Sequence, residues 1–193
     1  PNDLAIRISL HGSFHGLVRS LVAFLSEAFL LQSWAPQFRN INAPSWSLSA
    51  EAFFYFAFPF FALWIWRRKG VRALGLFFCL WICGLLAPLL VTWYRPSLFV
   101  DSPTSHLFQA VELMPVFRIF EFAAGIALCS FQTSVIQKIS PDRRNRLSYF
   151  SVATAVLLFT LVIQIANHIP LLAMSNGFLL PAYALLILGL ANI

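Results

Sequence analysis

The chain alternates between long apolar runs and short polar connections, and the lengths of the runs carry the first information. A helix crossing a hydrocarbon core of about 30 Å needs about 20 mostly apolar residues, because every backbone amide must find its partner inside the segment. Six stretches approach that length, over 17–34, 46–66, 73–94, 116–131, 147–166 and 177–193. The first contains Arg19 and Glu27, whereas Glu51 is the only charge in the second and the third and fifth have none. The fourth is short and contains Arg118 and Glu121. Pro59, Pro88 and Pro181 fall inside runs, where a membrane helix tolerates a kink that a soluble one does not. No internal repeat and no low-complexity linker interrupts this order. The pattern predicts an all-α, polytopic transmembrane bundle with about five to six spans.

Composition narrows the class further. Apolar residues make up 60% and charged residues 10%, against roughly 25% charged in an ordinary soluble domain. Twenty-one Phe, six Trp and a mean hydropathy of +0.79 exclude a disordered or nucleic-acid-binding chain, which needs a solvated, charge-rich surface. The net charge of +6 therefore reads as topology. Arg67, Arg68, Lys69 and Arg72 fill one connection, Lys138, Arg143, Arg144 and Arg146 another, and Arg7 and Arg19 precede or open the first span. With those three regions cytoplasmic, ten of thirteen basic residues lie inside, Arg39 and Arg95 outside, and Arg118 within the membrane. The segments 37–45, 95–115 and 167–176 are then external connections. Cys79, Cys83 and Cys129 lie inside apolar runs and are read as packing residues, with no disulfide framework or metal-binding spacing. The opening Pro1-Asn2-Asp3-Leu4 lacks both an initiator Met and a signal-peptide layout, and the last run stops without a polar flank. Both ends are expected to be cuts within a larger protein, so that 1–193 is the central part of one membrane domain.

Ionisable groups in a bilayer cost about 2.5–3.5 kcal/mol each on insertion scales, so each calls for a partner or a purpose. Glu51 falls about one and a half turns from the external end of its span, and Arg118 and Glu121, three residues apart on one face, within two turns of the external end of theirs. All three share a depth, and a common polar chamber is the simplest way to satisfy them. Ser47, Glu51 and Tyr55 recur at i, i+4 and i+8 and form one polar stripe, expected to face protein or water. Ala124 and Gly125 offer small residues for close helix approach beside Glu121. From these residues alone, an Arg118 ion pair with Glu121 or Glu51 that merely fixes helix register competes evenly with a functional site.

The stretch Asn42-Ala43-Pro44-Ser45-Trp46-Ser47-Leu48-Ser49-Ala50-Glu51-Ala52-Phe53-Phe54-Tyr55, followed by Pro59, resembles the W-S-L-x-x-E-x-x-F-Y…P signature of the acyltransferase 3 family of integral-membrane O-acyltransferases. Phe117-Arg118-Ile119-Phe120-Glu121-Phe122-Ala123-Ala124-Gly125 resembles that family's R-x-x-E-F-x-x-G element. The resemblance implies transfer of an acyl group, commonly acetyl from acyl-CoA, to a hydroxyl of a sugar or envelope glycan, in a multi-pass protein of the bacterial cytoplasmic membrane. It assigns Glu51, Arg118 and Glu121 to catalysis and Trp46, Ser47 and Tyr55 to substrate contact, with no metal, no bound cofactor and no nucleic-acid partner. The family's early helix with its essential His, its Arg-rich cytoplasmic motif and its late Ser-Tyr and His element are not found in these residues. The chain by itself is therefore expected to be inactive. Ala52 stands where a second Glu often follows the first, which leaves the signature intact and removes a carboxylate pair.

A sugar hydroxyl is a poor nucleophile, so its attack on a thioester or an acyl-enzyme needs a base and a stabiliser for the oxyanion. In that scheme a His outside the chain is the base, Glu51 orients or neutralises it or relays protons, and Arg118 binds substrate charge or holds the two carboxylates. Other readings have weaker support. His11 and His15, at i and i+4, make one imidazole pair beside Gly12 and Gly16, too few ligands for a metal site. Trp34, Trp46, Trp66, Trp93 and Tyr94 fall at span ends and fit an aromatic belt. A secondary transporter with Glu51, Arg118 and Glu121 as its substrate site is the principal alternative, but it calls for broken half-helices and a midplane site. A purely structural scaffold is the third.

Overall fold

The computed structural model describes residues 16–34 except Arg19, 46–94, and 106–193 apart from the side chain of His106. Helical residues 20–28 form α1, followed by α2 (Trp46–Trp66), α3 (Val71–Tyr94), α4 (His106–Leu113), α5 (Pro115–Ser134), α6 (Pro141–Ile165), α7 (Leu171–Ser175) and α8 (Leu180–Leu190). Short 3-10 turns, Ile136–Lys138 and Ala166–His168, follow α5 and α6. Among the described residues no strand forms, and five helical segments are long and apolar enough to cross a membrane. The molecule is a polytopic all-α bundle. Large apolar side chains face outward along it, among them Phe56, Leu63 and Ile163, each more than two-thirds exposed, as a hydrocarbon solvent permits and water does not.

Helix α5 is the centre. Nearly half of its span (44%) is buried, against 6% for the span containing α6. Its alanines explain this: Ala123, Ala124 and Ala127 are fully buried and let α3 and α2 approach along two sides. On α3 the facing stripe is Ala73, Phe77, Gly84 and Pro88, at four- and seven-residue spacings that keep one face of a helix. Gly84 lets the two helices touch, since a Cβ there would lie 3.1 Å from Cβ of Phe120. Helices α6 and α8 form a second tight pair at Gly189, where a Cβ would stand 2.5 Å from Val152 Cγ2 and 2.9 Å from the Ser148 carbonyl.

The two most basic connections meet at one end. The α2–α3 turn reverses at Gly70, whose φ of +61° is a glycine conformation, and the Gly70 amide donates to Ser134 Oγ at 2.9 Å. Ser130 Oγ donates to the Arg68 carbonyl at 2.7 Å, and the Arg68 guanidinium lies 3.9 Å from the Trp64 ring centroid. Residues 67–72 and 138–146 are thus on the same side, as their shared charge requires.

Several sequence expectations need correction. The expected first span, 17–34, is helical only to residue 28; residues 29–34 turn, with Leu30 at a φ of +55°. Part of the expected external connection 95–115 is helix α4, because Phe108 and Val111 lie three apart on one face and bury against Leu172. The expected turn 167–176 includes α7 and buries Leu172, Ala173 and Asn176, so the last helix proper starts at Leu180 rather than Gly177. Gly125 is not a close-approach residue, since nothing lies within 4 Å of a Cβ built there, and the neighbouring alanines take that part. Cys79 and Cys129 are exposed on the outer surface rather than packed, and Cys83 is half-buried. The segment 37–45, Arg7, His11, His15, Arg19, Arg39, Asn42 to Ser45 and Arg95 lie outside the described residues.

Candidate active site

The N-terminal halves of α2 and α5, side by side at the end opposite the basic turns, border an open cleft of about 340 Å³. It is lined by Trp46, Ser47, Ala50, Glu51 and Phe54 from α2 and by Arg118, Glu121 and Phe122 from α5. The wall residues follow helical geometry: Trp46, Ala50 and Phe54 recur every four, Ser47 and Glu51 form the adjacent stripe, and Arg118, Glu121 and Phe122 sit at i, i+3 and i+4. Its floor is aromatic, with Phe54 stacked on Phe122 at a centroid distance of 4.9 Å and an interplanar angle of 9°. Such a pair contributes about 0.5–1.5 kcal/mol beyond its buried area. The floor thereby holds the two charged walls at a fixed separation.

Arg118 is placed by the break between α4 and α5. Pro115 starts α5, Met114 is extended, and the chain end of α4 is left with carbonyls that have no helical donor. Arg118 Nε donates to one of them, the Glu112 carbonyl, at 2.9 Å, while its Nη1 reaches Glu121 Oε1 at 3.3 Å. Its guanidinium carbon is also 6.0 Å from the Trp46 ring centroid, at the outer reach of a cation–π contact. The side chains of Arg118 and Glu121 are 17% and 27% exposed, so both look into the cleft without being sealed off from it.

Glu51 belongs to the opposite wall and pairs differently. Tyr55 Oη donates to Glu51 Oε1 at 2.6 Å, one turn along the same helix, so the carboxylate and the phenol form one hydrogen-bonded unit at the open rim. Tyr55 itself is 70% exposed and does not line the cleft. Of the two partners open to Arg118 in the sequence, the structure selects Glu121.

Three features of the site escape sequence reasoning. Phe54 and Phe122 are invisible among so many phenylalanines. The serines of the signature split, Ser47 toward the cleft and buried Ser49 toward the 29–34 turn, where its hydroxyl donates to the Leu30 carbonyl and Ser33 donates to the Trp46 carbonyl. Gly177, far away in sequence, lies against Glu121. An Asn-Gly pair is a legible turn signal, but its neighbour across space is not.

Helices that span a bilayer around a pocket of carboxylates, a guanidinium and aromatic rings define a multi-pass membrane protein with a polar intramembrane site. The chain belongs to the acyltransferase 3 family, whose sequence profile, described as an acyltransferase domain, matches residues 5–193. It is similar to acyltransferase MdmB of Streptomyces mycarofaciens, with 33% identity over 112 residues, covering 53% of this chain and 27% of that protein. The chain thus aligns with about a quarter of the length of the curated relative it matches. No solved structure matches it.

Proposed function

We propose that this chain forms part of a membrane-embedded O-acyltransferase that moves an acyl group, acetyl being the commonest in such chemistry, from acyl-CoA to a hydroxyl of a sugar or envelope glycan, in the cytoplasmic membrane of a bacterium. The observation that carries the reading is the convergence of Glu51 with the Arg118–Glu121 pair on one cleft in a chain of this family. In the reaction a C–O bond forms between the acceptor hydroxyl and the acyl carbon, the C–S bond breaks, and the hydroxyl proton ends on the departing thiol. The groups present match those needs. Glu51, with Tyr55 fixing one of its oxygens, holds or relays the proton, directly or through a base brought to it. Arg118, which lines the cleft, stabilises negative charge on the acceptor or on the developing oxyanion. Glu121 keeps that guanidinium in place. Trp46 and Phe54 offer the flat apolar faces against which a sugar ring packs.

A transporter site is less well supported, because Glu51 lies within the first two turns of α2, near the end of its span rather than at the middle. Deletion of the full-length protein, followed by ester analysis of envelope glycans and other secreted acceptors, tests the reading. Loss of an O-acyl ester, restored by the wild-type protein and not by its Glu51→Gln variant at equal expression, is the expected result. Unchanged esters with altered solute uptake would overturn it in favour of transport.

A further inference from the structure

We propose that Gly177 is a positioning residue for Glu121, and that Trp81 holds Gly177 in place, so that a turn between α7 and α8 sets where the acidic wall of the cleft stands. The inference rests on the acyl-transfer reading of the cleft and adds to it two residues that lie outside the cleft wall. A Cβ built on Gly177 would lie 3.0 Å from Glu121 Cγ, 3.1 Å from Cδ and 3.1 Å from Oε1, so any side chain at this turn would press on the carboxylate itself. That Oε1 is the atom that Arg118 Nη1 meets at 3.3 Å. The carboxylate is therefore bounded by the guanidinium and by a stretch of main chain with no side chain.

The turn is well anchored for such a task. Gly177 has a φ of +79°, a conformation that other residues rarely adopt, so the position demands glycine on two independent counts. Its carbonyl accepts from Trp81 Nε1 on α3 and from the Leu180 amide, each at 2.9 Å. Asn176, 2% exposed, donates to the Leu172 carbonyl at 2.8 Å, and the Phe178 amide returns to the Ala173 carbonyl at 3.2 Å. The helix that carries Trp81 is in turn locked to α5 by Gly84 against Phe120, the residue next to Glu121. A glutamate on a helix has several rotamers, and this arrangement of three elements leaves little room for those that would carry the carboxylate toward α7 and α8.

The strain of a side chain at positive φ must be separated from the contact with Glu121, and the molecule supplies its own control. Gly70 has a φ of +61°, but a Cβ there meets nothing closer than Val135 Cγ2 at 4.0 Å, at the far end of the bundle. In the full-length protein in membranes, Gly177→Ala is expected to lower kcat for acyl transfer by roughly 10- to 100-fold, the penalty that a misplacement of about 1 Å brings, with KM little changed. Gly70→Ala should leave kcat within about twofold of wild type, since it shares the strain and lacks the contact. Glu121→Ala removes Cγ, Cδ and Oε1, all three atoms that a Cβ on Gly177 would meet, so adding Gly177→Ala to it should lower kcat no further. Trp81→Phe, which removes the donor and keeps an aromatic ring, should lower kcat in the same direction and likewise have no added effect on Glu121→Ala.

Equal losses for Gly177→Ala and Gly70→Ala, or a Gly177→Ala loss that multiplies with that of Glu121→Ala, overturn the proposal. A second cycle reads the contact without activity: thermal unfolding of Gly177→Ala, Glu121→Ala and their combination in detergent should show a smaller Gly177→Ala shift when Glu121 is absent. Additive shifts overturn the proposal whether or not ester formation is detected. A coupled cycle in a protein that forms no ester supports the Gly177–Glu121 placement and refutes the acyl-transfer reading instead.

Discussion

Glu51 and Arg118 line the same cleft but are held in different ways, and their substitutions should differ accordingly. Glu51→Gln keeps the shape and removes the charge; if the carboxylate handles a proton, acyl transfer falls roughly 100-fold or more, within the usual range for general acid–base groups, at unchanged protein level. Tyr55→Phe removes only the 2.6 Å bond to Glu51 Oε1, and because that phenol is largely exposed, the loss measured in the same ester assay should stay below about tenfold. Arg118→Lys retains the charge but cannot reach the Glu112 carbonyl and Glu121 together, as the guanidinium does through Nε and Nη1. Activity should therefore drop with Lys almost as far as with Gln, which comparison of the two variants checks. The sequence makes all three residues conspicuous, since each is a polar group in an apolar run. It leaves open which carboxylate Arg118 takes, because that depends on where α4 ends and on which atoms it leaves without donors.

Between elements, the contrast of two glycines carries the clearest stability prediction. Gly189 sits where α6 and α8 touch, with the Ser148 backbone carbonyl 2.9 Å from a Cβ built there, and a backbone atom cannot swing aside. Gly189→Ala should cost about 1–3 kcal/mol as an overpacked contact, seen as a lower unfolding temperature in detergent. Gly125→Ala should leave that temperature unchanged or raise it slightly, since the space is open and alanine favours helix. Sequence pattern favours the opposite ranking, because Gly125 lies beside the charged motif on a well-formed span, whereas Gly189 lies in a uniformly apolar one. The pattern of small residues indicates that helices approach closely. It does not say which of several small residues is at the crossing, since in a run apolar on every face no periodicity distinguishes one side from another.

For the molecule as a whole, the placement of charge and of the cleft fixes a sidedness that labelling can check. The α2–α3 turn and the α5–α6 connection are joined through Gly70, Arg68, Ser130 and Ser134, so they must share a side of the membrane. Lys69→Cys and Gln137→Cys, in a background without the three native cysteines, should react with an impermeant maleimide from the cytoplasmic side, and Asn167→Cys from the other. Labelling of all three from one side would invalidate the arrangement of spans, and with it the reading of the cleft as opening away from the basic face.

Length and hydropathy of the runs by themselves determine that the chain is a helical membrane bundle, because a bilayer leaves the backbone almost no alternative to the helix. The spacing of Ser47, Glu51 and Tyr55, and of Arg118 and Glu121, likewise determines which polar groups share a face of a helix. Tertiary structure decides what meets those faces. It places α2 beside α5 so that two motifs distant in sequence share a cleft, turns the 106–113 segment into a helix by giving Phe108 and Val111 a partner in Leu172, and brings Gly177 against Glu121. These are contacts between residues tens of positions apart, set by which small side chains permit two helices to touch, and local pattern carries no record of that choice.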